Sequence, residues 1–293
     1  MDHGFILDTA HMSDASVAAT YGVIGEKLAA DRPTCTGFTF DSDPKGDCDQ
    51  WAYPASISHA HFRAQAFPDI PRTATKPAIH DAVPPAEYDI SNRNIEMVRR
   101  TGGVIGAFIA EGRMSQTGLL FSPDCSLSSE FFGYSFDFAH TRLNYNGVGI
   151  ATDFTLIPGV SPRFGKNACW GYHTAENPDA EKAAHPERYK TSTQINGVVY
   201  EGMLPKDGVK TGVNAPLKAD HLGTRTFDVN VDGLAHFGML PDVLQDLKNL
   251  KLPQADFEAL FSSAEGYIQM WEKSIRLCVS CTATKSASPN GRP

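Results

Sequence analysis

Phe5-Ile6-Leu7-Asp8-Thr9-Ala10-His11 decides the fold of this chain, together with two stretches built on the same plan: Tyr53-Pro54-Ala55-Ser56-Ile57-Ser58-His59 and Gly147-Val148-Gly149-Ile150-Ala151-Thr152-Asp153. Each is a short run of mostly apolar or small residues closed by a side chain that ligates metal well. A brief apolar run bounded by polar or turn residues reads as a buried strand. In α/β barrels the C-terminal strand ends converge on one face, where active sites form. Two imidazoles and one carboxylate arriving by that route match the nitrogen and oxygen donors that zinc takes.

The intervening segments supply the helices. Ser13 offers an N-cap for a helix over 14–29, in which Val17, Tyr21, Ile24 and Leu28 recur at helical spacing. Residues 30–52, punctuated by Pro33, Gly37, Pro44 and Gly46, read as a loop, and the proline-broken segment after His59 has no regular pattern. Residues 89–101 read as a helix stopped by Gly102-Gly103, ahead of a strand from Val104 to Ala110 that finishes at Glu111. No P-loop lysine follows the two glycines, so they are not a phosphate loop. Residues 129–145 read as a helix whose Phe131, Phe132, Tyr134, Phe136 and Phe138 serve as core.

From 158 to 225 the chain is polar, a long insertion of the kind that carries function or moves. Helices are expected over 241–250 and 254–273. The second presents Phe257, Leu260, Phe261, Ala264, Tyr267, Ile268 and Trp271 on one face. Four strands alternating with helical stretches give an α/β class with parallel pairing. That is a partial (β/α)8 TIM-type barrel, about the last four βα units with closing helices, in one domain over 1–281 with a disordered tail over 282–293.

Composition excludes several partner classes. The chain has 293 residues, 26 basic against 34 acidic, for a net charge of -8, which argues against nucleic acid. No stretch approaches the ~18–20 apolar residues of a membrane span. Met1-Asp2-His3-Gly4 has neither the basic nor the apolar region of an export signal, so a cytoplasmic location is expected. Six cysteines in a chain this long do not make a disulfide framework, although Cys35 and Cys48 share one loop and can pair if the compartment is oxidising. Cys278-Val279-Ser280-Cys281 is a lone CxxC, read as an incidental pair on a frayed terminus.

The motifs are also familiar as a set. Ile6-Leu7-Asp8-Thr9-Ala10-His11-Met12-Ser13 resembles the "D-x-S/A-H-x-S" strand end of the membrane (renal) dipeptidase family of zinc metallopeptidases. Ser56-Ile57-Ser58-His59 resembles that family's "hydrophobic-S-H-S" strand, and Gly149-Ile150-Ala151-Thr152-Asp153-Phe154 its "G-I-G-S-D-F" segment. Arg99-Arg100-Thr101-Gly102-Gly103-Val104-Ile105-Gly106 fits the junction between them. Leu240-Pro241-Asp242-Val243-Leu244-Gln245-Asp246-Leu247 and the Trp271 helix resemble the closing helices. These pieces stand in family order over roughly residues 4–275.

The resemblance implies an amidohydrolase-like barrel with two zinc ions, and hydrolysis of a dipeptide or similar amide by a zinc-activated water. It implies that His11 and His59 ligate one zinc. Asp153 would serve the other and take the proton of the attacking water. The family's His-x-Asp pair and bridging Glu have no counterpart here, so His61 and Glu111 stand as candidate additional ligands. The family's substrate-clamping Arg has no clear match, Arg93 included. Four βα units leave two strand edges and an apolar interior open. Three outcomes are expected of that: an amino-terminally shortened reading frame, completion by a second copy or a complementing chain, or a catalytically inactive binding or scaffold remnant. Of the other histidines, His140, His173, His185 and His221 are expected at the surface, and His236 is expected to cap or brace the helix that follows it.

Overall fold

Adjacent apolar strands pair in parallel, as their spacing around intervening helices requires. The computed structural model describes residues 1, 3–40, 47–66, 89–109, 129–144, 147–153, 160, 220–227, 229–249 and 252–278. Within it β1 (Leu7–Asp8), β2 (Ala55–Phe62), β4 (Ile105–Phe108) and β5 (Val148–Ala151) lie side by side in the order β1-β2-β4-β5. A short β3 (Asp89–Ile90) adds to the end of β2, with His61 opposite Asp89. Leu7 pairs with Ala55, Ile57 with Ile105, and Ile105 with Val148, all parallel. The expected mixed α/β class with a parallel sheet is therefore present.

Helix starts follow local chemistry. α1 (Asp14–Asp31) begins where the Ser13 hydroxyl accepts the Ser16 N–H at 3.2 Å. Ser91 does the same for α4 (Asn92–Thr101), accepting the Asn94 N–H at 3.2 Å. That helix ends at Gly102, whose φ of 65° is a left-handed cap that glycine enters without a Cβ penalty. Gly106 answers a different need, since a Cβ there would collide with the Ser58 carbonyl of the neighbouring strand. α5 (Ser129–Leu143) buries Phe131, Phe132, Tyr134 and Phe136 as expected, with Phe132 and Phe136 fully covered.

Three expectations need correction. The loop over 30–52 is not featureless: it holds a 3-10 turn (Pro33–Cys35) and α2 (Cys48–Trp51), and Cys35, Phe38, Phe40 and Cys48 pack with α1 into a second core. Cys35 and Cys48 are disulfide-bonded, and Arg100 reaches under the loop to pair with Asp49 at 3.0 Å. β2 also runs three residues beyond His59.

The expected helix over 254–273 is two helices. After the short α3 (Arg63–Ala66), the hairpin β6 (Asp220–Leu222) and β7 (Arg225–Phe227), α6 (Val229–Asp232) and α7 (Leu240–Asn249), the chain forms α8 (Gln254–Phe261) and α9 (Ser263–Arg276), with the break at Ser262. The predicted apolar face turns inward only in part, with Leu260 buried and Phe257 packed against the core. Phe261, Tyr267, Ile268 and Trp271 are 45–63% exposed, whereas α9 buries Gly266, Met270 and Ser274. Small residues let that face approach the strand entrances, where the Ser274 hydroxyl donates to the Gly4 carbonyl. Cys278 is buried and disulfide-bonded, so the chain is not frayed there. Cys281, the 282–293 tail and most of the 158–225 insertion lie outside the described residues. No described helix is long and apolar enough to cross a membrane.

Candidate metal centre

Parallel strands all exit at one end of their sheet, so residues just past β1 and β5 and near the end of β2 fall together. His11, His59 and Asp153 each bring one ligand atom into a group whose members all lie within 4.8 Å of one another. The two Nε2 atoms of His11 and His59 are 2.7 Å apart, and His59 Nε2 is 3.3 Å from an Asp153 carboxylate oxygen. The three residues that sequence order alone pointed to are thus brought to one place.

Backbone conformation sets two of these side chains apart. His11 and Asp153 have φ of 60° and 59°, in the left-handed region that non-glycine residues rarely occupy. Each such residue costs roughly 1–3 kcal/mol and persists only where surrounding structure enforces it, most often at functional sites. Both residues lie two or three positions past the end of a strand, β1 for His11 and β5 for Asp153.

The enforcing contacts centre on Asp8. One of its carboxylate oxygens accepts the Ala10 N–H at 3.1 Å and the Ser58 N–H at 2.9 Å. A single side chain therefore fixes the residue before His11 and the residue before His59. The Ser58 hydroxyl and His59 Nδ1 share a 3.1 Å hydrogen bond, the arrangement that leaves Nε2 facing a metal when Nδ1 carries the proton. Thr9 ties the same strands, its hydroxyl donating to the Ser56 carbonyl at 3.1 Å. The positioning role of Asp8 was not legible from the sequence, because its second partner lies 50 residues away.

The donors fit a small divalent cation. Bonds of ~2.0–2.1 Å in a tetrahedral shell place ligand atoms ~3.3 Å apart. The His59–Asp153 separation of 3.3 Å equals that edge, the histidine pair at 2.7 Å needs to part slightly, and the whole group, within 4.8 Å, needs only small side-chain adjustments to close on one ion. Three protein ligands with one open position is the pattern of catalytic zinc, and two His with one carboxylate also suits non-haem iron. Among the described residues this is the one such group of three.

The remaining candidates lie elsewhere. His61 packs edge-on against Phe108 with ring centres 4.8 Å apart and is not a member of the group. Glu111 lies outside the described residues, as do His173 and His185. Arg93 lines a groove between α1 and α4 with Tyr21, Glu26 and Met97. His140, expected at the surface, instead braces α5 to α8 through a 2.6 Å bond to the buried Asp256. His236 lies against Phe227 at 4.7 Å, just ahead of the 3-10 turn Phe237–Met239, and makes no capping hydrogen bond to it. No family model matches this chain, and no curated protein matches it.

Proposed function

We propose that this chain is a metal-dependent hydrolase of the dipeptidase type, holding one zinc-type ion on His11, His59 and Asp153 and cleaving a dipeptide or similar small amide. The observation that carries this reading is the convergence of those three side chains at the strand exits. A second support is their reach across the sheet. β2 and β5 are separated by β4, so a flat sheet would hold them ~9–10 Å apart. The His59 and Asp153 side chains span that gap to meet at 3.3 Å, an approach compatible with an arc of a (β/α)8 barrel.

A divalent cation held there brings the pKa of water toward neutrality and polarises the scissile carbonyl. The chain's own contributions follow from position. His11 and His59 supply neutral imidazole nitrogens, with Ser58 setting the orientation of the second. Asp153, about a third exposed, has a free carboxylate oxygen on the solvent side that can accept the proton of an attacking water and return it to the leaving amine. The exposed setting of His11 and Asp153 admits a small substrate from solvent.

The competing reading is a binding or scaffold protein that keeps part of this site. It draws support from the outer edges of β1 and β5, which no described strand covers. Metal content and turnover separate the two. The hydrolase reading predicts about one equivalent of zinc-type metal after reconstitution and release of free amino acids from a dipeptide panel. Absence of both would establish the inactive reading. The Cys35–Cys48 bond and the bonded Cys278 further favour an oxidising compartment over the cytoplasmic location expected from the amino terminus.

A further inference from the structure

The end of the sheet opposite the histidines carries a second concentration of charge. Gly102, which leads into β4, sits on the rim of a cavity of about 440 Å³ also lined by Arg99, Arg100, Lys273 and Arg276, with Gln50 and Gln269 between them. Asp49 is the only acid on the wall. In a chain of net charge -8, four cations around one carboxylate is an inversion of the overall balance.

Two of the four cations are already matched. Arg99 forks onto Glu96 with two bonds of 2.6 Å, and Arg100 pairs with Asp49 while lying over the rings of Phe38 and Phe40. The other two form no close ion pair among the described residues, although the Asp49 charge acts on Lys273 from a distance. Lys273 gives its ammonium protons to two carbonyl oxygens, Thr101 at 2.7 Å and Asp49 at 3.3 Å, leaving one donor over. The Arg276 guanidinium lies 5.5 Å from the Trp51 ring, whose stack also includes Arg32 at 3.3 Å. Burial, and then the neighbouring Arg276, lower the Lys273 pKa to about 8. Capping the carbonyls at the end of α4 explains Lys273 in part. It does not explain Arg276 or Gln50, whereas the Gln269 amide already donates to the Glu265 carboxylate at 2.9 Å.

We propose that this cavity is an oxyanion site that takes a phosphate-type group, held by Arg276 and the spare donor of Lys273, with the Gln50 amide and the second N–H of Gln269 completing the shell. A guanidinium fork pairs with carboxylate and phosphate alike, and the ammonium beside it adds the second charge and further donor direction that a tetrahedral dianion takes. Because the site joins α9 to α4 and α2, occupancy stabilises the folded chain by mass action. It is independent of the metal centre, which lies beyond the other ends of the strands.

The test is thermal unfolding and calorimetric titration of the metal-free full chain with inorganic phosphate, against sodium chloride at matched ionic strength and against acetate. Phosphate is expected to raise Tm with saturation at one equivalent, and acetate to do so only weakly. Arg276→Ala, at an exposed position, is expected to weaken phosphate binding by about tenfold or more with Tm in chloride nearly unchanged. Lys273→Met gives the same loss where it folds. Equal Tm in phosphate and chloride, an undiminished response in Arg276→Ala, or equal binding of acetate would overturn the assignment. So would a response lost in His11→Ala but kept in Arg276→Ala, which would locate the anion at the histidines.

Discussion

The Asp8 carboxylate accepts the backbone N–H of Ser58 at 2.9 Å, joining the exit of β1 to the strand that carries His59. The same oxygen holds Ala10, so one side chain governs the approach of both imidazoles. Partners behind the ligands typically contribute 10–100-fold to metal affinity. Asp8→Ala is therefore expected to weaken zinc or cobalt binding by about tenfold while circular dichroism stays native. Asp8→Asn, which keeps an acceptor oxygen, should restore most of the loss. Equal affinities in all three proteins would remove Asp8 from the site.

The histidine pair makes a sharper test. If both Nε2 atoms face one ion, removing either leaves too few donors for tight binding. His11→Ala and His59→Ala should each lower affinity by more than about 100-fold, and the double variant should lose little more than either alone. Fully additive losses in a competition assay with a chromophoric chelator would mean that the two rings serve separate ions.

What the sequence disclosed, and what it hid, divides by the range of the interactions. Ser13 and Gly102 announce helix ends because capping is settled within three or four residues, whereas the helix read from 89 starts only at Asn92, after the strand Asp89–Ile90 and its cap Ser91. The strands are legible as short apolar runs, and His11, His59 and Asp153 as their endpoints. Periodicity could not say which side of α9 faces inward. Its apolar stripe at Tyr267, Ile268 and Trp271 is exposed, because close packing selected the small Gly266 and Ser274 instead. Nor does any local signal mark Ser262 as a break or His11 and Asp153 as left-handed. Those follow from long-range contacts, as does the packing of Cys35, Phe38, Phe40 and Cys48 on α1.

The same loop supports a stability prediction. Cys35 and Cys48, 13 residues apart, close a loop whose phenylalanines pack on α1. Cross-linking a loop of about that length restricts the unfolded chain by ~3 kcal/mol. The Cys35→Ala/Cys48→Ala variant should lose about 2–3 kcal/mol in urea unfolding. Reductant should shift the native chain toward the variant but leave the variant's loop region unaffected. A native chain insensitive to reductant would show that the bond contributes no stability.

Lys273 fixes the sign of one pH effect. Burial, then Arg276, bring its pKa to about 8 in the folded chain, against 10.5 when unfolded. Below pH 8 both states hold the proton and no difference arises. Between pH 8 and pH 10.5 the unfolded chain binds more protons, so stability rises with pH through that window. The rise is bounded at roughly 3 kcal/mol, and partial solvent access makes about 2 the better expectation. Lys273→Met has no such proton to lose. In chloride buffer the native chain should therefore gain about 2 kcal/mol on the variant between pH 7 and pH 10 by urea unfolding, a comparison that cancels every other titrating group. A constant difference would mean that Lys273 keeps its proton in the folded chain.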